Sequence, residues 1–122
     1  MTKIAIIEDD AVINQMYRIK FEAAGFDVQV ANNGKSGVDM VESFAPDIIL
    51  LDIQMPEMNG DEALKKIRAQ TWGARIPVII LTNLSSEEAP KSLKELGVRD
   101  YIVKAELTPS QVVSRVKDTL GL

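Results

Sequence analysis

Five short apolar runs, each followed by a segment with helical spacing, constrain the fold of this chain more than any other feature. The runs are rich in β-branched residues and have the length of buried strands. They cover Lys3–Ile7, Asp27–Ala31, Asp47–Leu51, Pro77–Thr82 and Asp100–Lys104. Because parallel strands need crossover connections, this alternation predicts an α/β fold with helices on both faces of a parallel sheet. The first, third and fourth runs are the most uniformly apolar, so we expect them at its centre.

The helical segments carry their own start and stop signals. The expected ranges are Ala11–Ala24, Lys35–Phe44, Asn59 to about Ala69, Glu87–Leu96 and a last helix that starts after Thr108. Asn59 with Glu62, and Thr108 with Gln111, have the spacing of a capping box. Pro90 lies near the first turn of the fourth helix, so we expect an irregular start there.

Composition excludes several classes of protein. The 122 residues fit one domain, taken as 1–122, and a content of 46% hydrophobic and 26% charged residues is that of a globular protein. The chain has no histidine and no cysteine, which excludes imidazole bases, thiolate metal sites and disulfides. A net charge of −4 argues against direct binding of nucleic acid. No apolar stretch is long enough to cross a bilayer and no signal-peptide pattern is present, so we expect a cytoplasmic protein without membrane contact.

Acidic and polar residues stand at the ends of four of the five runs. Asp52 ends the third strand, and the first is followed by three acidic residues, Glu8, Asp9 and Asp10. Ligands of a doubly wound sheet bind beyond the carboxyl ends of its strands, where the strand order reverses. Two further groups, Thr82 at the end of the fourth run and Lys104 at the end of the fifth, join these acids. We expect Glu8, Asp9, Asp52, Thr82 and Lys104 at one edge, with Asp10 capping the first helix.

These residue types together indicate phosphoryl transfer. Carboxylates held close together disfavour joint ionisation, and a hard divalent cation relieves that repulsion. Mg2+ suits a site with few carboxylates, because it keeps water ligands and accepts a phosphate oxygen. An aspartate beside Mg2+, with a hydroxyl and an ammonium nearby, can attack a phosphoryl donor and hold the acyl phosphate.

With these residues in this order, the chain resembles the receiver domains of bacterial two-component response regulators, of the chemotaxis-protein-like single-domain type. The likeness covers essentially the whole chain and implies a three-layer, doubly wound, flavodoxin-like fold. That fold has five parallel strands in the order 2-1-3-4-5 and five helices. A stand-alone receiver and a part of a longer regulator both fit the resemblance.

The resemblance also implies roles for the acidic residues. Asp52 corresponds to the phosphoacceptor, Asp9 to a direct Mg2+ ligand and Glu8 to a ligand through water. The backbone carbonyl of Gln54 would complete the protein's share of the coordination. Met55-Pro56 and Gly60 match the loop that follows the phosphoacceptor in this family.

The remaining roles belong to a switch. Thr82 corresponds to the switch hydroxyl, Lys104 to the lysine that contacts the phosphoryl group, and Tyr101 to an aromatic residue that turns inward on phosphorylation. The protein would then receive its phosphoryl group from a histidine kinase or phosphotransfer protein and catalyse that transfer and a slow self-dephosphorylation without being a turnover enzyme. Its target would read the face of the fourth helix, fifth strand and fifth helix, with the protein a monomer or a weak phosphorylation-dependent dimer.

Three positions depart from the usual pattern of the family. Ala105 replaces the proline after the lysine, Asn83 replaces a small residue after the threonine, and Leu84 offers no hydrogen bond to an attacking water. Leu84 and Gln54 occupy positions that influence hydrolysis in relatives, so we expect slow loss of the phosphoryl group.

Several alternatives remain open at the level of sequence. A receiver-like module that works without phosphorylation fits Asn83 and Ala105. A flavodoxin-like cofactor binder lacks a glycine-rich loop after the first strand, and an aspartate-nucleophile phosphatase would need a second acid where Gln54 stands. Tyr101 alone also fits static packing.

Overall fold

A parallel sheet of five strands forms the centre of the computed structural model, which describes residues 1–122. The strands are β1 (Lys3–Ile7), β2 (Asp27–Ala31), β3 (Ile48–Leu51), β4 (Val78–Thr82) and β5 (Asp100–Val103). Their order is β2-β1-β3-β4-β5, and every neighbouring pair is parallel. This confirms the predicted α/β fold and the central place of the first, third and fourth runs.

Five α-helices and one 3-10 helix connect these strands. The α-helices are α1 (Ala11–Ala23), α2 (Gly34–Phe44), α3 (Gly60–Arg68), α4 (Ser92–Glu95) and α5 (Pro109–Leu120). The 3-10 helix, Thr71–Gly73, contains Trp72 and lies between α3 and the start of β4, at the edge of the sheet opposite the strands' carboxyl ends. None of the helices combines the length and the apolar character needed to span a membrane.

The core has two layers, one on each face of the sheet. On one face, α1 and α5 bury Tyr17, Phe21, Val112 and Val116 against the strands. On the other face, α2, α3 and α4 bury Val41, Phe44, Leu64, Ile67 and Leu93. Side chains of β1 alternate between the layers, with Ile4 and Ile6 in the first and Ala5 and Ile7 in the second. Successive side chains of β1 thus point to opposite faces of the sheet, up to the end of the strand where the acidic residues follow.

The structure corrects several predicted boundaries. β3 ends at Leu51, so Asp52 lies one residue beyond the strand rather than ending it. Lys104 likewise follows β5. Asn59 caps α3 by its position but makes no side-chain cap hydrogen bond, so the predicted box with Glu62 is absent. The predicted box of Thr108 and Gln111 is present, with both reciprocal hydrogen bonds.

The largest correction concerns α4, which was expected at Glu87–Leu96 and forms only at Ser92–Glu95. Pro90 is the physical cause. A proline inside a helix has no N–H to donate, and its ring clashes with the carbonyl oxygen four residues earlier, here that of Ser86. The residue before it, Ala89, is also driven from the helical region. The first half of the expected helix is therefore a turn.

Candidate functional site

Three carboxylates converge at the carboxyl edge of the two central strands. β1 and β3 are paired so that Ile7 lies opposite Leu51, and the residues after them are therefore neighbours. The backbone N–H of Asp52 donates to the carbonyl oxygen of Ile7 at 3.0 Å, which fixes this register. One carboxylate oxygen each of Glu8, Asp9 and Asp52 lies within 4.8 Å of the others. The predicted acidic cluster is thus brought together by adjacent strand ends.

The three acidic side chains differ in how far they are buried. Glu8 is 3% and Asp52 is 5% exposed, whereas Asp9 is exposed. Two carboxylates therefore sit in the floor of the site and the third stands at its opening. Asp10, next in the chain, caps α1 by accepting hydrogen bonds from the N–H groups of Val12 and Ile13. Its capping role was expected.

Lys104 supplies the positive charge of the site. Its Nζ forms ion pairs with Oε1 of Glu8 and, at 3.3 Å, with Oδ2 of Asp52. Its backbone N–H donates to the carbonyl oxygen of Thr82 at 2.8 Å, which ties the lysine to the end of β4. The chain has no cis peptide bond, so Lys104 reaches the carboxylates with a trans bond before Ala105.

The electrostatics of the floor follow from burial. Burial raises the pKa of Glu8 to about 7, and the negative charge of Asp52 acts in the same direction, while hydrogen bonds from Lys104 and the Asp10 N–H oppose it. For Lys104, burial acts to lower the pKa, but the hydrogen bond with Glu8 and the charge of Asp52 outweigh it, so the pKa is raised. The ammonium is therefore held in its charged form against the carboxylates.

The loop after Asp52 packs closely on the phosphoacceptor candidate. The N–H of Ile53 donates to Oδ1 of Asp52 at 2.8 Å, and the N–H of Gly60 donates to the carbonyl oxygen of Ile53 at 2.7 Å. A Cβ at Gly60 would overlap the carbonyl oxygen of Asp52, so only glycine fits there. Met55 is buried as loop packing, whereas Gln54 is exposed.

Thr82 and Tyr101 lie on the other side of the edge. Thr82 is 1% exposed, and its Oγ1 accepts a long hydrogen bond of 3.4 Å from the N–H of Leu84. The half-buried Tyr101 donates its hydroxyl to the carbonyl oxygens of Leu84, at 3.0 Å, and Ser85, at 3.2 Å. Both side chains therefore contact the loop that leads from β4 towards α4.

Comparison with known proteins agrees with this geometry. Residues 4–117 match the response regulator receiver domain family. The chain belongs to this family. As a receiver domain it is 34% identical to regulatory protein AtoC of Escherichia coli strain K12, over 85% of this chain and 22% of that protein. It is also 34% identical to the alkaline phosphatase synthesis transcriptional regulatory protein PhoP of Bacillus subtilis strain 168, over 97% of this chain and 48% of that protein.

Solved structures give the same assignment. Chemotaxis protein CheY4 of Vibrio cholerae superposes with a TM-score of 0.89 at 27% identity, covering 97% of this chain and 98% of that one. The receiver domain of sensor histidine kinase PA1611 from Pseudomonas aeruginosa PAO1, solved with magnesium coordinated in its active site cleft, gives a TM-score of 0.85 at 25% identity over 99% and 98% of the two chains. The curated relatives are longer proteins: this chain spans 22% of AtoC and 48% of PhoP.

The donor set of this receiver domain fits Mg2+. All three acids offer hard oxygen ligands, and the exposed Asp9 leaves room for the waters that Mg2+ retains. The ion pairs of Lys104 show that the floor requires positive charge, because two buried carboxylates would otherwise face each other without a counterion. A divalent cation would meet the same requirement.

Sequence reasoning missed one residue that holds the site in place. Asn14 of α1 is 4% exposed, and its Nδ2 donates to the carbonyl oxygens of Glu8, at 2.9 Å, and Ala31, at 3.2 Å. It thereby joins the ends of β1 and β2 directly beneath the acidic cluster. The available signal was a single amide on the buried face of α1, three and seven residues before Tyr17 and Phe21.

Proposed function

We propose that this receiver domain is a phosphorylation-dependent signalling switch in which Asp52 accepts a phosphoryl group. The observation that supports this most strongly is the convergence of Glu8, Asp9 and Asp52 with the ammonium of Lys104 at one strand edge. Phosphoryl transfer requires alignment and charge neutralisation more than covalent help from the protein, and these groups supply both.

In the proposed reaction, a carboxylate oxygen of Asp52 attacks the phosphorus of the donor. The bond between phosphorus and its leaving group breaks, and the leaving group, a histidine nitrogen of a kinase or phosphotransfer protein, takes the electron pair. Bound Mg2+, held by Asp9, Asp52, the carbonyl of Gln54 and Glu8 through water, would neutralise charge on the phosphoryl oxygens. Lys104 would contact one of those oxygens, and the hydroxyl of Thr82 would donate to another.

The same step would carry the signal away from the site. A phosphoryl group adds about −1.5 to −2 charges and three strong acceptor oxygens, which draw the hydroxyl of Thr82 towards Asp52. Because Thr82 Oγ1 accepts from the N–H of Leu84, its movement changes the loop whose carbonyl oxygens hold Tyr101. The face formed by α4, β5 and α5 would then change shape, and a target protein would read it. The coupling is limited to a few kcal/mol, the usual range between two sites.

Persistence of the phosphoryl group is expected to be long. Leu84 is part of the apolar layer that contains α4, and it presents no group that could orient an attacking water. We therefore propose slow self-dephosphorylation, to be measured as the decay of phosphorylated protein after removal of the donor. A half-life of seconds would contradict this assignment.

Membership of the receiver family is the basis for the proposed partners and setting. We propose that residues 1–122 act as one receiver unit in the cytoplasm, as a monomer or a weak phosphorylation-dependent dimer. Its phosphoryl donor would be a histidine kinase or phosphotransfer protein. With a net charge of −4 the receiver unit itself would not bind nucleic acid, although relatives such as PhoP are named as transcriptional regulators.

A second candidate function is a receiver-like interaction module that needs no phosphorylation. It is favoured by Asn83 and Ala105, which depart from the usual pattern of the family. The hydrogen bonds of the Tyr101 hydroxyl to the loop also fit static packing of this side chain.

Intact-mass measurement after incubation with acetyl phosphate separates the two candidates. The switch predicts a gain of one phosphoryl group with Mg2+, a greatly reduced gain without it, and none in Asp52→Ala. An exposed acid outside the site, Asp39→Ala, is the matched control and should behave like the unaltered protein. No gain in the unaltered chain with acetyl phosphate or with a phosphorylated histidine donor would favour the second candidate.

A further inference from the structure

Ser85 and Glu88 form a capping box that no long helix follows. The N–H of Ser85 donates to Oε1 of Glu88 at 3.1 Å, and the N–H of Glu88 donates to Oγ of Ser85 at 3.4 Å. The N–H of Glu88 also reaches the carbonyl oxygen of Ser85 at 3.1 Å. These are the reciprocal contacts that open a helix. The turn nevertheless ends before Pro90, and helical structure resumes only at Ser92.

This isolated box lies directly against the hydroxyl of Tyr101. The two carbonyl oxygens that accept from the phenol belong to Leu84, the residue just before the box, and to Ser85, the first residue of the box. Glu88 holds the peptide unit on the amino side of Ser85 through Oε1, and its N–H holds the carbonyl on the other side. The direction of the Leu84 carbonyl therefore depends on the side chain of Glu88, and that of the Ser85 carbonyl on the backbone N–H of Glu88.

The absence of a following helix makes this dependence stronger. In a full helix, the carbonyl groups of the first turn are fixed by the N–H groups of the next turn. Here Pro90 has no N–H to donate. The backbone hydrogen bonds of the next turn are accepted by the carbonyl oxygens of Pro90 and Lys91, not by those of the Ser85–Glu88 turn. The turn from Ser85 to Glu88, here called the Ser85 turn, is thus held by one backbone hydrogen bond and by the side chains of Ser85 and Glu88.

We propose that Glu88 is a positioning residue for Tyr101: by holding the Ser85 turn it aims the two carbonyl oxygens that fix the tyrosine hydroxyl. The significance of this position for signalling rests on the proposed switch function, but the contact itself does not. In the unphosphorylated protein, loss of the Glu88 acceptor releases the turn and gives the phenol a second orientation. In the phosphorylated protein, the same loss weakens the link between Thr82 and the face read by the target.

Consistent with this arrangement, hydrogen bonds from the Ser85 backbone and hydroxyl lower the pKa of Glu88. The carboxylate is therefore charged at neutral pH, when it serves as the acceptor. Burial raises the pKa of Tyr101, and the charge of Glu88 adds to that effect.

The chain offers a matched set of variants. Glu88→Ala removes the acceptor, whereas Glu88→Gln keeps an oxygen at the same reach. Gln111 demonstrates that geometry in this same chain, where its Oε1 accepts from the N–H of Thr108 at 2.8 Å. Glu87→Ala removes an exposed acid one residue earlier that makes no side-chain hydrogen bond, and so serves as the control for charge.

Fluorine NMR of protein labelled with 3-fluorotyrosine reads the orientation of Tyr101 directly. The chain has two tyrosines, and the resonance of Tyr101 is assigned by its absence in Tyr101→Phe. The other resonance, from Tyr17 in the core, shows that each variant is folded. The measurement is made on unphosphorylated protein without donor, so its result is independent of whether Asp52 accepts a phosphoryl group.

We expect the Tyr101 resonance to move or broaden in Glu88→Ala and to keep its position in Glu88→Gln and Glu87→Ala, with Tyr17 unchanged in all three. Amide exchange at Ser85 should accelerate by about tenfold in Glu88→Ala alone, the size expected for one lost hydrogen bond. An unmoved Tyr101 resonance in Glu88→Ala would overturn the proposal. So would equal changes in Glu88→Gln, which would assign the effect to charge, or in Glu87→Ala, which would assign it to the segment at large.

Discussion

The acidic edge and the segment from Leu84 to Leu96 follow neighbouring strands, yet they are held in opposite ways. Glu8 and Asp52 are 3% and 5% exposed and share one ammonium. The segment after β4 is exposed or half-buried except at Leu93 and contains a helix of only four residues. The comparison teaches that the groups expected to do chemistry lie at the ends of paired strands, whereas those expected to respond lie in a less regular and less buried segment.

Removing the shared ammonium should give the largest loss of stability. Lys104→Met leaves two buried carboxylates without a counterion, and we expect it to lower the free energy of unfolding by about 3 kcal/mol. Mg2+ should restore part of that loss. Urea unfolding with and without Mg2+ measures both effects. Arg115→Met breaks the more exposed ion pair with Asp100 and should cost less than about 1 kcal/mol. Equal losses in the two variants would show that burial gives the ion pairs of the acidic edge no added weight in stability.

Crowding the phosphoacceptor loop should have the next largest effect. In Gly60→Ala the new methyl group overlaps the carbonyl oxygen of Asp52, and all the nearest atoms are backbone atoms of Asp52 and Ile53, which cannot turn aside as a side chain can. We expect a loss of about 2 kcal/mol in urea unfolding, typical of overpacking. The rate of phosphorylation by acetyl phosphate should fall as well, because Asp52 is displaced. A variant with unaltered stability and rate would show that the backbone around Asp52 moves readily to accommodate the methyl group, which would contradict this account.

In the segment after β4, we expect a change in structure with little change in stability. Pro90→Ala restores the missing N–H and should let α4 extend back towards Ser85, raising the helix signal in far-ultraviolet circular dichroism. The free energy of unfolding should change by about 1 kcal/mol or less, because the change leaves the buried Leu93 of α4 in place. Pro109→Ala is the matched control, since proline at the first position of α5 is compatible with a helix. A helix signal that rises only in Pro109→Ala would contradict the role given to Pro90.

The two capping boxes provide the finest comparison. Thr108→Ala removes the cap of a 12-residue helix that packs on the core, and should cost about 1 kcal/mol in urea unfolding. Ser85→Ala removes the same kind of contact where no long helix follows, and should change stability by less than about 0.5 kcal/mol. A larger loss for Ser85→Ala would mean that the turn contributes to the stability of the whole fold and not only to local structure.

Much of the fold and the acidic cluster could be predicted, because both follow from periodicity and from where strands end. Asp52, Glu8 and Asp9 meet because β1 and β3 are adjacent and parallel. The extent of α4 could not be predicted from capping signals alone. Ser85 and Glu88 have the same spacing as Thr108 and Gln111, but Pro109 is the first residue after its cap and Pro90 is the fifth.

The contacts of two side chains also lay beyond the sequence. Asn14 and Tyr101 both bind backbone carbonyl oxygens of distant segments. Such acceptors are present at every residue, so no residue type marks them. Only the fold decides which carbonyl groups face a given amide or phenol, so the partners of Asn14 and Tyr101 could not be predicted from the sequence.

Amide NMR of the labelled protein before and after phosphorylation tests the central claim most directly. With acetyl phosphate and Mg2+, we predict shifts at Asp52, then at Leu84, Ser85 and Tyr101, and little change at the Thr108 cap of α5. Intact mass from the same sample reports whether the phosphoryl group is present. A phosphorylated protein whose Leu84, Ser85 and Tyr101 amides stay in place would contradict the account, because the reaction at Asp52 would then have no path to the segment after β4.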